Sequence, residues 1–548
     1  MNNTTSTRKS PAYPSVSAEK TSLTKPARPL AWLGPGCSPR ASVAYSFLLA
    51  IEWLRNKLRA VLGMYSQQAR AKARDLDPSS PEGKYRHPQR VVLFLSSFLL
   101  IGAGGLAVAH NDDQFVPRYQ EFSDPEGRFA NFNIGGPTDT TKNAFFLDLG
   151  TNGRRCVTCH QASDAWSVTP SHLRDRFGTT HGTDAIFRTN DGSGCPTQDV
   201  STESARGSAY NLLLTKGLIR IEQQVPRNAE FTVLNNDNPY GCDSTSAISA
   251  YRRPLPATNI PFLSTVMWDG RETFKDASGN FQPVTFDLAQ QAVDATMIHA
   301  QGQPPTPEQV QEIIDFETNI FTAETQDKNA GDLDDLGAAG GPIHLSMQEF
   351  FIGINDPLGM NPTGTAFSPT IFSLYDKWAS IEDRRYDEHT RGRRAVARGQ
   401  KLFNTLSIPI TGVAGLNDVL KVDTINGFCG TCHDSPNVGD HSVPAPLNIG
   451  LVDASRRTSD LPLVTVMCNA TGVITQVSDI GRAMVTGKCA DIGKFKGPIL
   501  RGLAGRAPYF HNGSAATLED AVDFYNTRFT LHLSQQDKDD LVAFLKTL

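Results

Sequence analysis

The pentapeptide Cys-x-x-Cys-His occurs twice in this chain, as Cys156, Cys159 and His160 and again as Cys429, Cys432 and His433. No other feature constrains the fold as strongly. Two thiols three residues apart on a helical turn can form thioether bonds to the two vinyl groups of one haem, and the adjacent His then ligates the iron. Cys-x-x-Cys alone also serves redox dithiols and half-sites for zinc. Neither of those needs His directly after the second Cys. Two such pentapeptides imply two covalently bound haem c groups, one in each half of the chain.

Covalent haem attachment of this kind takes place outside the cytoplasm, so the chain should carry an export signal. The uncharged run Val91–Ala109 follows the basic stretch "KYRHPQR" and ends in Ala-Val-Ala. It reads as a signal peptide cleaved after Ala109, with an uncleaved membrane anchor as the competing reading, since 19 residues can just span a bilayer. Residues 1–90, rich in Ser, Pro, Arg and Ala, read as a disordered extension or as the product of an early start codon. The expected location is the periplasm. Setting aside Cys37 and the haem cysteines leaves Cys195, Cys242, Cys468 and Cys489. An even remainder in an oxidising compartment suggests two disulfides. Of three possible connectivities the simplest pairs Cys195 with Cys242 and Cys468 with Cys489.

Net charge is −5 with no basic stripe, which excludes nucleic acid as a favoured partner. The expected fold is mainly α: two class I cytochrome c-like haem domains with long loops, an expanded N-terminal one over 110–385 and a C-terminal one over 386–548. "SHLRDRF" reads as a short helix with Ser171 as N-cap, and "TPEQVQEIIDFETNIFT" as an amphipathic helix whose apolar face runs from Val310 to Ile320. The acids of "NDGSGCP" and "NNDNPYGC" read as turn residues. "EDRRYDEHTRGRRAVARGQKLF" reads as a largely solvated helix, and "LSQQDKDDLVAFLKTL" as a packing helix capped by Ser534 with Asp537 at N3.

Two further segments carry a resemblance. "NIPFLSTVMWDGRETF" holds Trp268-Asp269-Gly270-Arg271, and "FKGPILRGLAGRAPYFHNGSAATLEDAVDFYN" runs from Phe495 to Asn526. With the two haem motifs, in this order, they resemble the bacterial di-haem cytochrome c peroxidase family, which includes MauG. The resemblance covers most of 145–165, 250–300 and 390–548. It implies an N-terminal haem that reacts with hydrogen peroxide and a C-terminal haem that relays electrons, with Trp268 between them. It implies an electron donor that is a small periplasmic cytochrome or cupredoxin, or a side chain on a protein substrate, and calcium between the domains.

The second haem's further ligand is a Met in the peroxidases; counted from His511, that position here is Tyr525, as in MauG-like members. Met467 and Met484 are alternatives. The family's distal stretch supplies a Glu as acid–base group. Here "LAQQAVDATMIHAQG" matches its start at Gln291-Ala292 but places Gln301 at the Glu position, with His299 two residues before. Histidine can shuttle a proton near neutral pH and glutamine cannot, so His299, with Gln291, is the candidate distal group. His299 could instead ligate the first iron. The resemblance implies supporting roles at the haem propionates for Arg271 and His511. Two rival functions are a non-enzymatic electron carrier with both irons saturated and an oxygenase of the di-haem rubber-oxygenase type.

Overall fold

The computed structural model describes residues 114–382 and 388–548. The extension, the export segment and the expected junction near 385 lie outside the described residues.

After the two-residue strand Phe115–Val116, the chain forms a hairpin, β1 (Tyr119–Ser123) and β2 (Gly127–Asn133). Its turn is built by Asp124, whose Oδ1 accepts from the amides of Glu126 and Gly127. The first Cys-x-x-Cys-His follows as a single helical turn, Cys156–Cys159, and then α1 (Pro170–Thr180). Thr169, not Ser171, is the N-cap of α1, because Pro170 occupies the first turn, where its missing N–H costs nothing. Next come β3 (Ile219–Gln224), β4 (Phe231–Asp237) and β5 (Ala247–Arg252). Helices α2 (Val284–Ile298) and α3 (Pro307–Asn319) precede β6 (Ile320–Asp327).

The apolar face expected to run through Ile320 on one helix is divided between α3 and β6. Thr306 caps α3, closing a reciprocal box with Gln309. At Ile320 the backbone leaves the helix to pair with Asn133. A β-branched residue gains more from sheet pairing than from another helical turn.

β2 lies between β1 and β6 in a four-stranded antiparallel sheet completed by Gly331–Asp332. Gly127 is required where β2 meets β6, since a Cβ there would collide with the Gln326 carbonyl. A second sheet joins sequence-distant parts of the chain. β4 pairs with β7 (Leu463–Cys468), which also pairs with β8 (Ile474–Val477). β3 pairs with β5. Disulfides Cys195–Cys242 and Cys468–Cys489 form in the expected pairing.

Three helices organise the C-terminal part: α4 (Thr390–Thr405), α5 (Leu518–Arg528) and α6 (Gln535–Leu545). α4 is not mostly solvated. It buries Val396 and Phe403 against α6, whose Leu541 and Phe544 join the same core. The helices cross at Gly399, where a Cβ would strike the Asp540 backbone. Arg398 clamps Asp540 in two hydrogen bonds of 2.7 Å. Ser534 and Asp537 form the expected capping box of α6.

Among the described residues helix accounts for 32% and strand for 17%, so helix leads but five small sheets share the framework. No helix among the described residues is long and apolar enough to cross a membrane.

Candidate haem sites

Each Cys-x-x-Cys-His opens into its own cavity. The first, about 1610 Å³ including space open to solvent, is lined on one side by Cys156, Cys159 and His160. α2 forms another wall with Leu288, Gln291, Ala292, Ala295 and Thr296, and His299 follows at its C-cap. These residues recur every three or four positions, so a single helix face lines the cavity. The second cavity, about 1850 Å³ on the same measure, takes Cys429, Cys432 and His433 together with Phe403, Phe510 and Tyr525.

Both motif histidines are oriented in the same way. His160 Nδ1 donates to the Trp166 carbonyl at 3.1 Å, and His433 Nδ1 donates to the Gly439 carbonyl at 2.7 Å. Each bond occupies Nδ1 and leaves Nε2 as the free lone pair, the arrangement a metal-ligating imidazole needs. The backbone is bent to deliver these carbonyls. Ala165 and Trp166 both sit at positive φ, 50° and 58°. Gly439 has φ 78°, and a Cβ there would meet the Phe372 ring. An aromatic ring stands behind each imidazole, Phe145 at 6.2 Å from His160 and Phe403 at 6.3 Å from His433.

Three observations fit a haem to each cavity. First, the four motif cysteines form no disulfide, and burial pushes the thiols of Cys156, Cys429 and Cys432 up to about 12. A redox dithiol depends on a lowered pKa. Second, among the described residues no group of three or more His, Cys, Asp or Glu is placed to hold an ion, so no described residue completes a zinc site at either Cys-x-x-Cys. Third, Arg253, Lys496 and Arg506 line both cavities. Arg253 donates to the carbonyls of Lys216, Val168 and Arg506, Lys496 to that of Thr265, and Arg506 to those of Gly502, Ile499 and Arg501. Among the described residues none forms an ion pair. Burial lowers Lys496 to about 8 and each arginine to about 10. Buried cations without a directly paired carboxylate are costly, and haem propionates are the anions such a seam suits.

Trp268 also lines both cavities. Its Nε1–H donates to the Arg253 carbonyl at 2.8 Å, and its own carbonyl accepts from Lys496 N at 3.0 Å. The indole is thus pinned to the shared wall. Immediately behind it, Arg252 lies between Asp269 and Asp479 with no solvent exposure of its side chain. Arg271 lines the first cavity and pairs with Asp269 at 3.1 Å.

His299 Nδ1 donates to Asp191 Oδ2 at 2.6 Å, and Asp191 Oδ1 accepts from Arg154. Burial opposes ionisation of Asp191, but His299 and Arg154 outweigh it and hold the carboxyl below its ordinary range. Asp191 sits in the turn expected from "NDGSGCP", yet it is more than a turn residue. It is buried, lines the first cavity and orients His299. Sequence offered no signal for this, since 108 residues separate the partners. Gln301, by contrast, is exposed with φ 54° and does not line the cavity. Neither Met467 nor Met484 lines the second cavity. Met467 is in β7, and Met484 is packed with Val464 and Val466. Tyr525 lies in the same apolar cluster as Cys429 and Cys432, and burial and those thiols hold its phenol well above its ordinary range.

His511 stacks on Phe495 with ring centroids 3.9 Å apart and lies 3.7 Å from Asp479. Burial pushes its pKa down to about 4. The unfolded chain takes up that proton near 6.5, so the contribution of neutral His511 is full above pH 6.5 and is lost as pH falls towards 4. The loss is about 3 kcal/mol. Urea unfolding of wild type between pH 7 and 4 should show this decline, and His511→Phe should flatten it. Equal slopes would mean that His511 is not neutral in the fold.

No protein-family model matches the chain. It is 32% identical over 209 residues to cytochrome-c peroxidase IdrP2 of Pseudomonas sp. (strain SCT), a match covering 33% of this chain and 53% of that protein. It is 34% identical over 141 residues to cytochrome-c peroxidase IdrP2 of Denitromonas iodatirespirans, covering 24% and 38%. It is 49% identical over 145 residues to cytochrome c551 peroxidase of Nitrosomonas europaea, covering 24% and 36%. The chain thus spans about half or less of the length of these curated relatives. By sequence it is a relative of the bacterial cytochrome c peroxidases.

Proposed function

We propose that the chain is a periplasmic di-haem c-type oxidoreductase that reduces hydrogen peroxide, with the first cavity as the peroxide site and the second as the electron relay. The observation that carries this reading is the pair of Cys-x-x-Cys-His cavities sharing one wall, with Trp268 in it. The overall conversion takes one peroxide, two protons and two electrons to two waters. Haem, when bound, supplies the redox centre and the iron position at which peroxide is reduced.

The chain's own residues do the rest. His160 and His433 present Nε2 to their cavities because backbone carbonyls occupy Nδ1. Arg253, Lys496 and Arg506 would neutralise the haem propionates. His299, held by Asp191, moves a proton between the two peroxide oxygens. Trp268 offers an oxidisable π-system between the cavities, and Tyr525 would hold the second haem together with His433. The electrons come from a small periplasmic cytochrome or cupredoxin, or from a side chain of a protein substrate.

The test is haem stoichiometry followed by low-temperature EPR of the ferric protein before and after one equivalent of peroxide. Two haems per chain and a high-spin signal that peroxide abolishes are expected. Two low-spin signals indifferent to peroxide, also after partial reduction, would turn the reading into an electron carrier.

A further inference from the structure

The resemblance to the di-haem peroxidases implies calcium between the haem domains, and the residues that lie between the two cavities do not fit it. Calcium takes about six to eight oxygen ligands, carboxylates prominent among them. Carbonyl oxygens are present here, but N–H groups already occupy them. Arg253 Nη2 donates to the carbonyls of Val168 at 2.7 Å and Arg506 at 3.0 Å, and Nη1 donates to that of Lys216 at 2.9 Å. The carboxylate whose charge is felt at Arg253 is Asp164, and its oxygens accept from Thr169 and His172. A divalent ion at this wall would meet the charges of Arg253, Lys496 and Arg506 with no carboxylate to offset them.

The seat is shaped for the guanidinium. Arg253 is 6% exposed. Its backbone N–H donates to the His511 carbonyl at 2.7 Å, and its own carbonyl accepts from the Trp268 indole at 2.8 Å. Gly217 has φ 62°, and a Cβ there would strike Nη1, so glycine leaves the side chain its space. Val168 and Lys216 follow the first haem motif, whereas Arg506 and His511 follow the second. One residue therefore ties the two haem-binding parts together through both its backbone and its side chain.

We propose that Arg253 is the interdomain cation of this chain: it holds the Val168, Lys216 and Arg506 carbonyls in the place of a calcium ion, and the protein neither carries nor needs calcium there. The stabilisation given by a bound ion rises and falls with its free concentration. A covalently attached guanidinium cannot dissociate, and its charge persists wherever proteins function.

The experiment uses the haem-loaded wild type and Arg253→Ser, each dialysed against chelator and then returned to millimolar calcium. Elemental analysis of wild type should find far less calcium than protein. Its melting temperature should agree within about 1 °C in calcium and in chelator, where a bound ion at about a hundred times its dissociation constant would add roughly 3 °C. Arg253→Ser frees three carbonyls and removes a positive charge. It should melt below wild type in chelator and regain a few degrees in calcium, a response that lost packing alone would not produce. Stoichiometric calcium in wild type, with a melting temperature that falls in chelator, overturns the proposal and needs no variant to fold. An Arg253→Ser protein that calcium leaves unchanged also overturns it, since those carbonyls would then not be an ion's ligands. None of these readouts involves peroxide, so a chain inert to peroxide leaves them as they are.

Discussion

Replacing His299 by alanine is expected to slow reaction with peroxide by roughly 10²–10⁴-fold while haem content stays at wild-type level. The imidazole lines the first cavity and has a nitrogen that can accept a proton and return it. Its Nδ1 is committed to Asp191 at 2.6 Å, so Nε2 is the working nitrogen. Asp191→Asn separates orientation from chemistry. It keeps the volume but removes the acceptor that fixes the tautomer, and its effect should approach that of His299→Ala. Arg154 makes this comparison stringent, because it also bonds the carbonyls of Ala185 and Ile186 and keeps the loop in place when the carboxylate is lost. Single-turnover kinetics on the two variants and the double variant provide the check. Additive losses would show that Asp191 acts independently of His299, and wild-type rates in His299→Ala would remove the residue from the reaction.

The haem motifs were legible because their chemistry is local: five residues hold both attachment points and the ligand. The capping boxes at Thr306 and Ser534 were legible for the same reason. What sequence could not show depends on distance along the chain. Asp191 has the company of a turn, two glycines and an asparagine, and becomes a site residue only when α2 brings His299 to it. β4 pairs with β7 more than two hundred positions later, and no periodicity in either announces that partner. Ile320 obeys helical spacing yet joins a sheet, because Asn133 offers backbone pairing there. The shared cationic seam was hidden in another way. Arg253 comes from one segment and Lys496 and Arg506 from another far along the chain, and a lone Arg or Lys in sequence is most often a solvated one.

Arg252→Met should destabilise the protein by about 3–5 kcal/mol, the largest stability effect expected from a single side chain here. The guanidinium has no exposure and bridges two carboxylates, with 2.5 Å to Asp269 and 2.7 and 2.9 Å to Asp479. Burial opposes ionisation of both acids, yet Arg252 holds both below the ordinary carboxylate range. Methionine fills similar space but leaves two buried negative charges, eased at Asp269 by Arg271 and the Gln223 amide and at Asp479 by the Gly481 amide. The pH dependence should then change sign. In wild type the depressed acids give stability that is present above pH 4 and lost as pH falls through their folded values. In the variant burial dominates, the acids take up protons on folding, and stability rises on acidification. The gap between the two proteins should therefore narrow from pH 7 to 4, as denaturant melts would show. Neutralising all three positions, as Arg252→Met with Asp269→Asn and Asp479→Asn, should recover most of the loss; if it does not, packing rather than charge explains the effect. The consequence reaches the site because the network is joined covalently to it. Arg252 precedes Arg253 and Asp269 follows Trp268, so the same buried charges that fold this region also hold the wall between the two cavities.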